Sequence, residues 1–182
     1  MVQIALVRHG QTDWNKTLRM QGTSDIPLNE TGRAQALEAA ILLADEPWTT
    51  IVSSTLSRAA VTADIIAERL GLEVVERDAA LIERAYGEVE GLTKAEAVER
   101  FGTEWPGEEA YEALQARAVA AVDDVARRHP VEHLVIVTHG TFIRAFADAI
   151  TGLETRTPRN AESIRFHGQP GDWTVAEGVV LV

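Results

Sequence analysis

Val2-Gln3-Ile4-Ala5-Leu6-Val7-Arg8-His9-Gly10 opens the chain with an apolar run that stops at a basic pair and a glycine. Branched apolar side chains packed into so short a run predict a buried β-strand over residues 2–8. Far downstream, His133-Leu134-Val135-Ile136-Val137-Thr138 repeats the pattern and ends in His139-Gly140. Elsewhere short apolar runs alternate with helical periodicity. One helix begins near Thr31, uses Leu37 and Ile41 on its apolar face and stops before Pro47. Ile51–Val52 forms a strand, and Ser54 or Thr55 caps a helix that runs through Ala59, Thr62, Ile65, Ile66 and Leu70 to Gly71.

Glu73 to Glu76 is a third strand, followed by a loop that contains Glu83. Thr93 caps a short helix, Trp105-Pro106-Gly107 interrupts the chain, and a long helix ends near His129. A further helix spans about Phe142 to Ile150, and strands lie around Ile164–Phe166 and Trp173–Val182. The stretch from His9 to Asn29 reads as a long functional loop. Strands alternating with helices predict an α/β fold with a mostly parallel central sheet.

With 182 residues the chain can bury a core, and a single domain over 1–182 is expected. An apolar fraction of 46% with 25% charged residues excludes global disorder. No stretch has the apolar length of a bilayer span. The N-terminal MVQIALVRHG has neither a basic n-region nor a cleavage-site pattern, so a cytoplasmic location is the default expectation. The absence of cysteine excludes disulfides, thiolate nucleophiles and cysteine-ligated zinc. A net charge of −11 disfavours nucleic acid and anionic membranes as partners of the bulk surface. An anionic ligand therefore needs a locally basic site.

Ligands of an open parallel sheet bind outside the carboxyl ends of its strands, where Arg8-His9-Gly10 and Thr138-His139-Gly140 fall. There a histidine can attack phosphorus, an arginine can grip two phosphate oxygens, and a glycine admits a close backbone. Arg58 lies near a strand-to-helix junction that suits an anion, although arginines on helices are usually solvated. Spacing alone does not single out Glu83 among so many acidic residues. His129-Pro130-Val131-Glu132-His133 has the H-x-x-E-H pattern of some zinc peptidases, but Pro130 disfavours the helix that would align its histidines. No GxxxxGK[ST] or GxGxxG cradle is present.

Val7-Arg8-His9-Gly10-Gln11-Thr12-Asp13-Trp14-Asn15 is the first of a series of matches to one family. Gln21-Gly22, Pro27-Leu28-Asn29-Glu30-Thr31-Gly32, Ser53-Ser54 with Arg58-Ala59, and Glu83-Arg84 with Tyr86-Gly87 follow it. Glu90-Gly91-Leu92 and Thr138-His139-Gly140 complete the series. In this order the chain resembles the histidine phosphatase superfamily, in its phosphoglycerate-mutase-like branch. The resemblance implies a three-layer α/β/α, phosphoglycerate-mutase-like fold, with 85–112 as a candidate lid or cap. It also implies that His9 is the phosphorylated nucleophile and that Arg8, Arg58, His139 and Asn15 hold the transferring phosphoryl group. Glu83 matches the proton donor, with Arg84, Tyr86 and Lys94 at substrate-contact positions. Gln21, Gly22 and Gly140 fall where the family closes around its ligand, whereas Glu162 and Ser163 take a structural role.

Phosphoryl transfer without a metal needs several fixed donors around the equatorial oxygens, and no cofactor or metal is implied. His9 must be neutral to attack, while His139 serves best as a charged donor, so their environments should separate two similar intrinsic pKa values. To act as an acid near neutral pH, a glutamate needs burial or the substrate's own charge to favour its protonated form.

A mutase would also need a second anion site. Here Ala85 and Thr141 replace a histidine and an asparagine usual in the mutases, and no arginine pair follows Lys94. A phosphatase acting on a small phosphomonoester is therefore the favoured reading. A cofactor-dependent phosphoglycerate mutase is the same-fold alternative, and a non-catalytic phospholigand-binding or regulatory protein is the second. Trp14, Trp105, Tyr86 and Arg144 are candidates to shape the pocket. Oligomeric state is open, with a dimer as one candidate.

Overall fold

The computed structural model describes residues 1–176. Six strands form one sheet: β1 (Val2–Arg8), β2 (Thr50–Ser54), β3 (Val74–Asp78), β4 (His133–Thr138), β5 (Ser163–Gln169) and β6 (Asp172–Val175). Their spatial order is β3-β2-β4-β1-β5-β6. The first four are mutually parallel, whereas β5 and β6 are antiparallel additions at one edge.

Six α-helices accompany the sheet: α1 (Asp13–Lys16), α2 (Glu30–Leu43), α3 (Ser57–Leu70), α4 (Lys94–Phe101), α5 (Tyr111–Arg128) and α6 (Gly140–Thr151). Strand alternation sends Ile4, Leu6, Leu134 and Ile136 to one face, where they meet Leu114, Val122, Phe142 and Phe146 of α5 and α6. Ala5, Val7, Val135 and Val137 point the other way, onto Ala39, Leu43, Ala63 and Ile66 of α2 and α3. Burying each Leu, Ile or Phe side chain contributes about 1.5–3 kcal/mol, so this two-sided pattern fixes the three-layer α/β/α arrangement.

The expected helix cap at Ser54 or Thr55 is replaced by Leu56, which makes no side-chain cap bond. Ser54 ends β2 instead, and its hydroxyl meets His139 Nε2 at 2.8 Å. Within the loop after β1, Thr12 and Asn15 form a capping box that starts the short α1. Thr93 and Glu96 do the same for α4. The connection from β3 to α5 closes on itself through a Tyr86↔Glu108 bridge and a Glu109 N–H to Ala85 carbonyl bond of 2.9 Å. The expected final strand is present as β6, and the part of that expectation beyond residue 176 lies outside the described residues.

Candidate active site

Adjacent parallel strands β1 and β4 place Arg8 opposite Thr138, so the residues that follow each strand emerge side by side. His9 N–H donates to the Thr138 carbonyl at 3.0 Å. The His9 and His139 rings lie 5.2 Å apart between centroids, tilted by 59°. Nδ1 of His9 is 2.7 Å from the Gly10 carbonyl, which can only accept, so Nδ1 carries the hydrogen and Nε2 keeps its lone pair. Gly10 is held in turn by its N–H to Thr62 Oγ1, at 3.1 Å. A Cβ on Gly10 would come 2.2 Å from the Gly32 carbonyl oxygen, so the start of α2 packs directly on the His9 turn.

His9 lines a cavity of about 130 Å³ together with Arg8, Asn15, Gln21, Gly22 and Arg58. Glu83 and Tyr86 close its other side. Arg58 is fully buried at the start of α3, donating Nη1 to the Ser24 carbonyl and Nη2 to the Gly22 carbonyl, each at 2.7 Å. Arg8 donates Nη1 to the Pro158 carbonyl at 2.7 Å. Burial lowers the pKa of both guanidiniums from the ordinary value, with the Glu83 charge opposing the shift. Both remain cations.

Glu83 caps the first turn of α6. Its Oε1 accepts from the Phe142 N–H at 3.0 Å and the Arg84 N–H at 2.9 Å, and its Oε2 accepts from the Thr141 N–H at 3.1 Å. The Thr141 and Phe142 amides lie in the first turn of α6 and have no intrahelical partner. Arg117 fixes the same segment from behind, donating to the Ala80, Ile82 and Glu83 carbonyls. The Tyr86 hydroxyl lies 2.8 Å from Thr141 Oγ1, and burial together with the Glu83 charge raises its pKa to about 12.

The two histidines shift in the same direction. Burial, followed by the Arg58 charge, holds both His9 and His139 well below the ordinary imidazole value. The surroundings of His139 therefore favour its neutral form. Its Nε2 lies 2.8 Å from the Ser54 hydroxyl, which also accepts from Leu56 N–H at 3.3 Å. Its Nδ1 is buried and has no partner among the described residues. His139 and Gly140 sit behind the cavity wall. A Cβ on Gly140 would approach Arg8 Nε to 3.0 Å, so this glycine makes room for the Arg8 side chain.

Arg84 and Lys94 line a second chamber of about 390 Å³, which shares Met20, Tyr86 and Thr141 with the first. Trp105, Tyr111 and Arg144 complete much of its wall. Arg84 is engaged by Glu108 at 3.1 Å and Arg144 by Glu154 at 3.1 Å.

Several residues of this architecture escape sequence reasoning. Arg19 and Met20 line the cavity, and Arg19 donates Nη1 to the Gly91 carbonyl at 2.6 Å. Glu90 accepts from Thr23, Ser24 and Tyr86 backbone N–H groups, bracing the loop whose carbonyls hold Arg58. Burial pushes the Glu90 carboxyl up, but these bonds and those of the Ser24 hydroxyl outweigh it and hold the group below the ordinary value. A Cβ on Gly22 would fall 2.0 Å from Glu90 Oε1, and its φ of 53° also favours glycine. The H-x-x-E-H stretch is divided: His129 Nε2 pairs with Glu76 at 2.7 Å, whereas His133 packs edge-on to Trp48. Among the described residues no group of three or more His, Asp or Glu side chains is arranged to hold a metal, and no helix is long and apolar enough to cross a membrane.

A parallel sheet that delivers two buried imidazoles beside two buried guanidiniums and a helix-capping carboxylate defines an α/β protein built around a histidine-centred anion site. The chain belongs to the histidine phosphatase superfamily, branch 1, whose family model matches residues 4–177. It is 41% identical over 153 residues to the protein named uncharacterized phosphatase PhoE of Bacillus subtilis, covering 84% of this chain and 79% of that one. It is 36% identical to phosphoglycerate mutase-like protein 4 of Arabidopsis thaliana, covering 79% of this chain and 68% of the other. Among solved structures, the mycobacterial glucosyl-3-phosphoglycerate phosphatase in complex with VO3 superposes with a TM-score of 0.86 at 31% identity, covering 96% of this chain and 97% of its own.

Proposed function

We propose that the chain is a metal-independent phosphatase that hydrolyses a small phosphomonoester through a phosphohistidine on His9. The observation that carries this reading is the locked His9 tautomer, with Nδ1–H on the Gly10 carbonyl and Nε2 left as nucleophile in a cavity walled by Arg8 and Arg58. In the first step Nε2 attacks phosphorus, the bond to the leaving oxygen breaks, and Glu83 as a carboxylic acid gives that oxygen its proton. In the second, Glu83 as carboxylate takes a proton from water, the water oxygen attacks phosphorus, and the phosphorus–nitrogen bond breaks to restore His9. Arg8, Arg58 and the Asn15 amide hold the equatorial oxygens, with the His139 ring packed behind them, 5.2 Å from that of His9.

The names of the PhoE relative and of the mycobacterial phosphatase support hydrolysis. The leaving group would occupy the second chamber, with the 85–112 segment as its cap, since Tyr86, Lys94 and Trp105 of that segment form part of the wall. A phosphoglycerate mutase is the competing reading. The cations Arg84, Lys94 and Arg144 in the second chamber favour it, but carboxylates already engage two of them.

The deciding experiment labels the protein with a phosphomonoester and seeks an acid-labile phosphoenzyme that is lost in His9→Ala, together with release of orthophosphate insensitive to EDTA. Turnover persisting in His9→Ala would sink the mechanism. Interconversion of 2- and 3-phosphoglycerate faster than their hydrolysis would transfer the assignment to the mutase.

A further inference from the structure

The turn between α6 and β5 makes an unusual number of contacts with residues of the cavity wall. Asn160 Nδ2 lies 3.1 Å from the His9 carbonyl oxygen and 3.2 Å from Asn15 Oδ1. An amide NH2 has two hydrogens, so it can serve both acceptors at once. The next residue, Ala161, adopts a left-handed φ of 59° and donates its N–H to the same His9 carbonyl at 3.2 Å. Arg8 bonds this turn twice, through its side chain to the Pro158 carbonyl and through its N–H to the Glu162 carbonyl at 3.0 Å. A non-glycine residue in that backbone region persists only where its surroundings over-determine it.

The consequence falls on Asn15. Its Oδ1 faces Asn160 Nδ2 and also accepts from the Thr12 N–H at 3.1 Å, while the single Thr12 hydroxyl hydrogen has a closer acceptor in Gln21 Oε1 at 2.8 Å. With the amide oxygen engaged by these donors, the Asn15 NH2 is the group left for the cavity. Rotating the amide by half a turn would set two NH2 groups against each other and point an acceptor oxygen at the anion.

We infer that Asn160 is a positioning residue that sets the Asn15 amide with its NH2 toward the phosphoryl group. The inference rests on the phosphatase reading for its role in turnover, but its geometry concerns phosphate binding alone. Asn160 itself does not line the cavity and acts only through Asn15.

A double-mutant cycle over Asn15→Ala and Asn160→Ala tests it, with kcat/KM for p-nitrophenyl phosphate and the calorimetric affinity for inorganic phosphate as readouts. In the wild-type background Asn160→Ala should lower both readouts by about tenfold, the scale of one mispositioned charge-assisted hydrogen bond. On the Asn15→Ala background the same change should cost less than about twofold, because no amide remains to be set. Asn160→Ser, which keeps a shorter donor and the better chance of folding, should fall between wild type and Asn160→Ala. Equal losses in both backgrounds, or an Asn160→Ser protein that folds and binds phosphate as wild type does, would overturn the inference. Phosphate affinity reads the cycle without turnover, so a chain that bound phosphate and hydrolysed nothing would defeat the phosphatase reading while the cycle still decided this one.

Discussion

His9 and His139, 5.2 Å apart at the ends of neighbouring parallel strands, are both buried and both held well below the ordinary imidazole pKa. Arg58 presses on each ring with the same sign of charge, after burial itself. Burial beside the Arg58 and Arg8 charges thus disfavours a proton on either imidazole.

This arrangement predicts a specific pH dependence of stability. The unfolded chain binds protons at these histidines near the ordinary imidazole value of about 6.5, whereas the folded chain resists protonation until well below it. Their contribution is thus complete above about pH 6.5 and is lost as pH falls toward the folded-state values, by up to about 1.4 kcal/mol per pH unit for each ring. Thermal melting between about pH 7.5 and 5.5 should show the fall, and His9→Gln or His139→Gln should each flatten it. An unchanged slope in both variants would count against the assignment.

Glu83 should matter in proportion to the difficulty of the leaving group. Glu83→Gln keeps one carbonyl oxygen for the α6 amides, turns the other oxygen into an NH2 that cannot accept, and has no acidic proton to give. Hydrolysis of an alkyl phosphate should drop by roughly 10²–10⁴-fold, and that of p-nitrophenyl phosphate by much less, since p-nitrophenolate leaves unprotonated. Steady-state kinetics on both substrates check this, and equal losses would remove Glu83 from the acid role.

Ser54→Ala tests the support of His139. The change removes the only described partner of Nε2 and leaves a buried ring nitrogen unsatisfied, at a cost of about 1–3 kcal/mol. Melting temperature should fall, and the affinity for inorganic phosphate should weaken because the ring is no longer held in place. A variant with wild-type phosphate affinity would show that Ser54 does not orient His139.

Gly10→Ala probes the contact between the His9 turn and α2. Its methyl group would come 2.2 Å from the Gly32 carbonyl oxygen, a backbone atom that cannot rotate away. Strain of this kind costs about 1–3 kcal/mol, or a fall in Tm of about 2–4 °C for each kcal/mol in a chain of this size. Activity should fall further than stability, because the Gly10 carbonyl fixes the His9 tautomer. A Tm within one degree or so of wild type would contradict the packing.

The fold was legible because its determinants are local. The apolar runs at 2–8 and 133–138 specify strands buried on both sides, whereas α2 packs through Ala36, Ala39, Ala40 and Leu43 and leaves the expected Leu37 and Ile41 exposed. The same runs place His9 and His139 at corresponding strand ends. Glu83 and Asn15 are singled out only through chain-wide resemblance, since nothing in their immediate sequence separates them from solvated residues, whereas Arg58 also has its strand-to-helix junction.

Other features required the tertiary structure, because they join positions remote in sequence. Ser54 reaches His139 across 85 residues and Asn160 reaches His9 across 151. Which hydroxyl, carbonyl or amide meets a given side chain depends on strand order and turn geometry, and no local pattern encodes either. The charge state that His139 favours depends on packing for the same reason. An imidazole's identity supplies its intrinsic pKa, but depth of burial and the nearness of Arg58 shift it. By itself the sequence determined a parallel α/β sheet with histidines at two strand ends; only packing in three dimensions decided the His9 tautomer, the burial that disfavours a proton on either ring and the residues that hold them.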